Sequence, residues 1–215
     1  MTQSSVPYRQ IRGQYNDEGI IVYQAYNEAI AKAAVEKQRL DASPQFVMGR
    51  MTWIKPSWCW MMYRSGYSYK DKNQSNILAI KLTHEGFKSL LSRAITGHGN
   101  GGTKGKVRVQ WDPERNVRIE RLEHRSIQIG IPGELREEWI GKWTISIEDA
   151  TGRAREMKKV LDDEEECRVS EEDLIAKGLM PVEKAYEVED EELGALLRMI
   201  DPKSPLEQGD LIKSN

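Results

Sequence analysis

The sequence predicts an α+β fold, in which a mixed or antiparallel sheet core carries flanking helices. Segments with strand-like alternation and segments with helical spacing follow one another without the regular strand–helix alternation of a doubly wound sheet. All six tryptophans lie before residue 150, where they supply large apolar side chains for a core. With 215 residues the chain is long enough to bury that core in one or two domains.

The individual elements follow from local patterns. Apolar residues at helical spacing predict a helix across residues 20–39. Pro56 suits the first turn of a short helix that ends at Gly66, and Thr83 is a good N-cap for the next helix. The glycine-rich run at 97–105 predicts a flexible loop, and 112–116 predicts a turn. Strands are predicted at 7–14, 50–54, 76–82, 106–111 and 126–131, and further helices at 133–143, 170–178 and 189–200.

The formal net charge of −2 hides a division of charge along the chain. Residues 1–155 hold 24 Lys and Arg against 16 Asp and Glu, whereas residues 156–215 hold 8 against 18. We therefore expect a basic domain over 1–155 and an acidic, partly helical extension over 156–215 with a disordered end. Such an extension is a solubility device, a partner-binding segment, or a mimic of nucleic acid that folds back on the basic domain.

Missing motifs disfavour several function classes. No apolar run approaches the length of a membrane span and the N-terminus is unlike a signal peptide, so we expect a cytoplasmic protein. Two cysteines, Cys59 and Cys167, and three histidines do not suffice for a metal centre of the usual kinds. A P-loop, a GxGxxG after a strand, HExxH and GxSxG are all missing, which disfavours kinases, Rossmann oxidoreductases and serine hydrolases. Any chemistry must come from dispersed side chains.

Two segments combine cations with aromatic rings. In YRQIR, the guanidinium forks of Arg9 and Arg12 either hold a phosphate or carboxylate or are plain surface charges. In RMTWIKPSWCWMMYRSGY, at residues 50–67, aromatic walls and placed cations suit a stacked ring with an attached phosphate. Some of its apolar residues are expected in the core instead. The candidates for binding in this second segment are Arg50, Trp53, Lys55, Ser57 and Tyr63.

A third segment, residues 109–131, is crowded with arginines and ends in an apolar strand. Glu123 lies just before that strand amid positive charge, which favours its ionised form. It is either a catalytic carboxylate or a salt-bridge partner, and Glu114 and Glu120 are expected to be salt-bridge partners.

Three strings carry a resemblance to a known family. YRQIRGQYNDEGIIVYQAYNEAIA, RMTWIKPSWCWMMYRSGY and VQWDPER resemble the family of prokaryotes and fungi known as domain of unknown function 4291, over residues 7–150. The family name implies no activity.

A second resemblance does imply an activity. The order of PYRQIR, WIKPSWCWMMYRSGY, NILAIKL and LEHRSIQIGI is similar to that of ADP-ribosyltransferases of the DNA-modifying DarT toxin type. This likeness implies an ADP-ribosyltransferase-like core that uses NAD as substrate, with Glu123 as the catalytic carboxylate. It further implies that Arg9 or Arg12 binds phosphate and that Tyr23, Tyr26, Trp53 or Tyr63 stacks on a ring.

Two functions are therefore expected. The first is an NAD-binding ADP-ribosyltransferase-like enzyme that modifies nucleic acid. The alternative is a non-catalytic module on the same fold that binds DNA or RNA through phosphate contacts. Neither expectation includes a membrane or a metal, and the sequence indicates no oligomeric state. The residues expected to contact nucleic acid are Lys104, Lys106, Arg115, Arg118 and Arg125.

Overall fold

The computed structural model describes residues 6–96, 106–163 and 169–199. The predicted loop at 97–105 lies outside these residues. The predicted disordered end of the extension lies outside them from residue 200 onward. Within the described ranges the strands are β1 (Arg12–Gly13), β2 (Tyr15–Asn16), β3 (Gly19–Tyr26), β4 (Thr52–Ile54), β5 (Asn76–Thr83), β6 (Ala94–Thr96), β7 (Val107–Arg115), β8 (Arg121–Ile131), β9 (Thr144–Asp149) and β10 (Lys184–Ala185). The α-helices are α1 (Glu28–Lys37), α2 (Trp58–Ser65), α3 (His84–Ser92), α4 (Arg136–Glu138), α5 (Thr151–Asp162), α6 (Glu171–Ala176) and α7 (Glu191–Leu196). A 3-10 turn before α4 and a π-helical turn after it complete the predicted helix at 133–143.

Two four-stranded sheets frame the fold. One has the order β2-β3-β5-β9 and is antiparallel, and the other has the order β4-β8-β7-β6, in which only the β6-β7 pair is parallel. The sheets are joined where Tyr23 of β3 and Lys55, just beyond β4, exchange two backbone hydrogen bonds of 2.6 and 3.1 Å. The predicted α+β class is confirmed.

Side chains of β3 and β5 alternate between two cores on opposite faces of their sheet. Val22 and Ile80 lie in a core shared with Ile129 of the other sheet. Tyr23 and Ile77 lie in a second core together with side chains of α2 and α5. Because both faces are covered, these strands are almost continuously apolar.

The predicted helix over 20–39 is wrong in its first part, because residues 19–26 form β3. The run IIVY is β-branched and aromatic, which suits a strand that is buried on both faces. The helix begins only at α1, where the side chain of Asn27 accepts a hydrogen bond from the backbone N–H of Ile30 at 3.0 Å. The residues rich in Ala, Glu and Lys start there.

The predicted turn at 112–116 is also wrong in part, because β7 continues to Arg115. Its pairing with β8 shifts register between Pro113 and Arg115. A proline is tolerated inside a strand at such an irregularity, where its missing N–H donor breaks no ladder bond. The consequence is that Asp112 and Glu114 belong to a strand that lies beside β8.

The end of α2 and the N-cap of α3 agree with the sequence, but Pro56, predicted in the first turn of α2, lies before the N-cap and outside the helix. Helix α2 begins at Trp58, with Ser57 as N-cap accepting from the backbone N–H of Trp60 at 3.1 Å, and it ends at Gly66 in the left-handed conformation. Thr83 is the N-cap of α3 as predicted.

The described part of the acidic extension packs on the basic domain. Helix α5 runs through residue 155, and β10 pairs with β1. Leu174 lies in the second core, and Tyr186 and Leu197 lie in the first. The boundary at residue 155 therefore separates a basic from an acidic part of the chain. It does not separate two cores, because side chains from both parts pack in the same two cores.

Candidate functional site

A cleft of about 710 Å³ is lined by the end of β3, the loop before β4, helix α2 and one face of the β4-β8-β7 sheet. Its volume falls within the usual range for sites that bind small molecules. A second, more open depression of about 720 Å³ runs along α1, but its lining is mostly exposed helix surface. The cleft is therefore the candidate site. Its polar and aromatic lining includes Gln24, Tyr26, Gln45, Arg50, Trp53, Lys55, Trp60, Arg64, Gln110 and Gln128.

Strand alternation turns amide groups and a flat ring toward the cleft. Gln110 and Gln128 are cross-strand partners in β7 and β8, and Nε2 of Gln128 donates to Oε1 of Gln110 at 2.7 Å. Trp53 lies against Gly130, where an added Cβ would be 2.9 Å from Cη2 of the indole. A side chain at that position would displace the ring. This face therefore combines hydrogen-bonding amides with an aromatic surface.

Lys55 is the buried cation of the cleft. Its side chain lies with Nζ 4.9 Å from the centroid of the Trp60 ring, and the residue is only 5% exposed. Burial, reinforced by the charge of Arg64, lowers the pKa of Lys55 to about 7, and the nearby carboxylate of Asp112 opposes this shift. A buried lysine with a strongly lowered pKa in a cleft is a candidate functional residue.

Aromatic rings and two arginines complete the lining. Tyr26 is partly buried and packs on Phe46 with ring centroids 6.0 Å apart, and Trp60 is buried. Arg50 and Arg64 line the cleft with exposed side chains. Rings beside cations suit a ligand that has a flat ring and an anionic group.

Two buried acceptors near Lys55 lack partners within the described part of the chain. They are Oε1 of Gln24, which lines the cleft, and Oδ2 of Asp112. Burial raises the pKa of Asp112, and the charge of Lys55 works against that increase. Because buried polar atoms in native proteins are nearly always hydrogen-bonded, the Gln24 oxygen indicates a place in the cleft where a ligand donor fits.

A second polar cluster lies at the start of α2. The Ser57 hydroxyl donates to Oε1 of Glu114 at 2.9 Å, and the backbone N–H of Trp58 donates to Oε1 of Glu183 at 2.6 Å. Burial raises the pKa of Glu183 to about 8, and the Glu114 carboxylate adds to the increase. Burial also raises the pKa of Glu114, against hydrogen bonds to the backbone N–H of Arg115 and to Ser57. The positive charge of Arg12 lowers the pKa of both carboxyl groups and so opposes the effect of burial.

The structure brings some of the predicted cofactor-binding residues together. Four line the cleft, namely Tyr26, Arg50, Trp53 and Lys55. The others lie elsewhere. Tyr23 is buried in the second core, and Ser57 belongs to the cluster at the start of α2. Tyr63 lies under the Arg115 guanidinium, Arg12 donates to the Glu183 carbonyl, and Arg9 donates to the Arg198 carbonyl.

The predicted catalytic residue, Glu123, is exposed on β8 and does not line the cleft. The glutamate that the structure brings together with Arg12 and Ser57 is Glu114, on the neighbouring strand. Its position in the sequence, beside Pro113 in an expected turn, gave no indication of this burial.

The arginines expected to contact nucleic acid make contacts within the chain. The Arg115 guanidinium lies 3.9 Å from the ring centroid of Tyr63. Arg125 donates to the Tyr8 hydroxyl at 2.9 Å, and Arg118 donates to the Leu161 carbonyl at 3.3 Å. Lys106 is exposed, and Lys104 lies outside the described residues.

Sequence reasoning missed the amides that line the cleft and the nearby acid Asp112, which is not part of the lining. Gln24, Gln110, Gln128 and Asp112 come from three strands, and no local motif links them. Arg64, a cation of the segment 50–67 already singled out, lies in the last turn of α2 and lines the same cleft.

The comparison with family models decides the relationship. The model described as Domain of unknown function (DUF4291) matches residues 10–186, which is most of the chain. The chain belongs to the DUF4291 family. Because this match extends beyond the expected span of 7–150, the family pattern includes α5, α6, β10 and Glu183. No curated protein matches the chain.

Two negative findings concern only the described ranges. Among those residues no group of three or more His, Cys, Asp or Glu side chains could hold a metal ion. No helix in them is long and apolar enough to cross a membrane.

Proposed function

We propose that this DUF4291 protein binds a nucleotide in the cleft, that the nucleotide is NAD, and that the reaction is ADP-ribosyl transfer. The observation that carries the proposal is that the same cleft is lined by Tyr26, Arg50, Trp53 and Lys55. Indole and phenol rings stack on a base or on nicotinamide, cations pair with the pyrophosphate, and amides bind base edges and ribose hydroxyls.

The transfer step requires a carboxylate beside the ribose. Cleavage of the nicotinamide–ribose bond develops positive charge on the ribose, which a nearby carboxylate stabilises. Glu123 is the carboxylate that the resemblance implies. Glu114, which like Glu123 is not part of the cleft lining, is the alternative, because its buried position and its hydrogen bond to Ser57 fix its orientation. Glu123→Gln and Glu114→Gln proteins should be compared for the rate of ADP-ribose transfer, and the essential carboxylate is the one whose loss abolishes it.

The first experiment is NAD binding by calorimetry on the wild type, Arg50→Ala and Trp53→Ala. We expect each variant to bind about tenfold more weakly, because each loses a charge-assisted contact or a stacking surface. Lys88→Ala is the matched control, since Lys88 is an exposed cation on α3, outside the cleft. Loss of binding in the control to the same extent, or no binding of NAD by the wild type at millimolar concentration, would contradict the proposal.

The alternative function is a nucleic-acid-binding module. The exposed Lys106 and the excess of positive charge in residues 1–155 support it. This alternative predicts that the protein binds DNA or RNA, that the affinity falls steeply as salt is added, and that it does not depend on NAD. Removal of the charges of Lys106, Arg115 and Arg125 together should then reduce affinity and flatten the salt dependence, while Trp53→Ala should have no effect.

A further inference from the structure

We infer that Lys55 is a nucleophile that forms an imine with a phosphorylated aldehyde bound in the cleft. This inference goes beyond the proposed function, because it concerns a covalent bond to the chain itself. It requires the cleft and does not require NAD, which carries no free aldehyde.

The backbone holds Lys55 in a fixed position. Its N–H and C=O exchange hydrogen bonds with Tyr23 at 3.1 and 2.6 Å, at the junction of the two sheets. Both Tyr23 and Lys55 are buried. A reactive group placed by rigid strands is held more precisely than one on a loop.

The Lys55 amine is available for reaction. Within the described ranges it makes no hydrogen bond and no ion pair, and its Nζ lies 4.9 Å from the centroid of the Trp60 ring. A lysine whose role was only to neutralise a buried carboxylate would form an ion pair with that carboxylate. Instead, Lys55 lines a cleft that is large enough for a small molecule.

The charged groups around Lys55 favour the neutral amine. Arg64 faces it from α2 and Asp112 from β7, and Arg50 and Asp71 line the same cleft. Burial and Arg64 together lower the pKa of Lys55 to about 7. About half of the amines are then neutral at pH 7, whereas an exposed lysine with a pKa of about 10.4 is almost entirely protonated. Only the neutral form has the lone pair that attacks a carbonyl.

Asp112 can move the protons that this reaction requires through a bridging water, because within the described residues it forms no ion pair or direct hydrogen bond with Lys55. It faces Lys55 closely enough for each group to shift the pKa of the other, and its buried Oδ2 has no partner among the described residues. Burial raises the pKa of Asp112, so its carboxyl group is more readily protonated than an exposed aspartate.

The chemistry balances without an oxidant or a reductant. The lone pair of Lys55 Nζ attacks the aldehyde carbon, the electron pair of the carbon–oxygen π bond moves to the oxygen, and that oxygen takes up a proton lost from Nζ to give a carbinolamine. The hydroxyl then leaves as water with a proton from the Asp112 carboxyl group, and Nζ loses its remaining proton to the resulting carboxylate. One carbon–nitrogen double bond replaces the carbon–oxygen double bond, one water is released, and the step is reversible.

The arginines indicate why the aldehyde carries a phosphate. Arg50 and Arg64 supply guanidinium forks at the same cleft, and this geometry suits a phosphate group. The shared ligand chemistry is the open-chain aldehyde of a ribose phosphate. Its two sources are a free sugar phosphate and a nucleoside diphosphate sugar with an unsubstituted anomeric carbon, such as ADP-ribose.

The test is reductive trapping on the full chain. Wild-type protein is incubated at pH 7 with cyanoborohydride and either ribose 5-phosphate or ADP-ribose, and the adducts are located by peptide mapping. We expect Lys55 to be labelled at least tenfold faster than the exposed Lys88 in the same sample. Labelling of Lys55 should be half-maximal near pH 7, whereas labelling of Lys88 should still rise above pH 9. The faster of the two aldehydes identifies the source of the ligand.

Variants separate the nucleophile from the binding groups. Lys55→Arg keeps the positive charge but cannot form an imine, so its cleft adduct should disappear. Arg50→Ala should slow labelling by the phosphorylated aldehyde about tenfold, while propanal, which has no phosphate, should label Lys55 no more slowly than in the wild type. The internal comparison of Lys55 with Lys88 in the wild type remains decisive if Lys55→Arg does not fold.

The outcomes distinguish this inference from the proposed function. An adduct on Lys55 without NAD binding retains the inference and contradicts the NAD proposal. NAD binding without an adduct retains the NAD proposal and contradicts the inference about Lys55. Equal labelling of Lys55 and Lys88, or a ratio of Lys55 to Lys88 labelling that is as high with propanal as with the phosphorylated aldehydes, would overturn the inference.

Discussion

Single residues set the shape of the cleft, and Gly130 does so by having no side chain. A Cβ at this position would be 2.9 Å from both Cη2 of Trp53 and Sδ of Met51. We predict that Gly130→Ala pushes the Trp53 ring out of place and costs about 1–3 kcal/mol of stability. NAD affinity should fall as well. Urea unfolding and calorimetry on the same variant measure both effects.

Gly152→Ala is the matched control for this substitution. A Cβ at Gly152, in α5, meets nothing within 4 Å. Its stability should change by less than about 1 kcal/mol, in the stabilising direction that a helix favours. Equal stability and affinity in Gly130→Ala and the wild type would mean that the Trp53 ring is not held as described.

Glu183 gives the second prediction at the residue scale, and it concerns pH. Burial raises the pKa of Glu183 to about 8 from an ordinary value of 4.5. Between these values the folded chain keeps a proton that the unfolded chain releases, so stability should fall as the pH rises from about 5 to 8. Glu183→Gln cannot titrate, so its stability should exceed that of the wild type by more at pH 8 than at pH 5.

The measurement is urea unfolding at several pH values between 5 and 8. Glu187→Gln is the control, because Glu187 is exposed and lies in the same segment. If the wild type and Glu183→Gln lose stability in parallel over this range, then Glu183 is not protonated in the folded chain.

At the scale of elements, the sequence was most informative where local chemistry decides the structure. Caps and breakers have local causes, so the end of α2 at Gly66 and the cap of α3 at Thr83 could be predicted. Strand β3 could not, because burial on both faces removes the alternation that marks a strand. The IIVY run then merges with the helical pattern of α1.

The same distinction applies to the candidate site. Arg50, Trp53 and Lys55 are close in sequence, so one aromatic and basic string was enough to predict them. Gln110 and Gln128 line the cleft only because β7 and β8 pair in one register. Such a set depends on tertiary structure, and no spacing in a single sequence records it.

At the scale of the whole molecule, the acidic extension contributes to the fold through buried side chains. Leu197 is fully buried in the first core, and its neighbour Leu196 is 40% exposed. We predict that Leu197→Ala costs about 2–5 kcal/mol and that Leu196→Ala costs less than about 1 kcal/mol. Chemical denaturation measures both. Equal small losses would show that the extension does not stabilise the basic domain.

The extension also places negative charge on a basic domain. Leu197 accepts a hydrogen bond from the Trp111 indole at 2.8 Å, and Arg198 accepts one from the Arg9 guanidinium at 2.8 Å. These contacts hold exposed acidic residues near the domain that carries the positive charge. If they compete with nucleic acid, their neutralisation should raise affinity for DNA or RNA several-fold at low salt. The variant changes Glu187, Glu189 and Glu191 to Gln.

Substitution tests this competition better than truncation, because removal of residues 156–215 also removes the buried side chains of Leu174, Tyr186 and Leu197. A control must have the same net charge as the variant. Three exposed glutamates on α1 and α3 provide it, since they lie outside the extension. Local competition predicts a larger gain in affinity for the variant than for the control, and the difference should disappear at high salt, where charges more than a few ångströms apart are screened. An equal gain in both proteins would mean that only net charge matters, which would contradict the hypothesis that the extension mimics nucleic acid. The control changes Glu28, Glu36 and Glu85 to Gln.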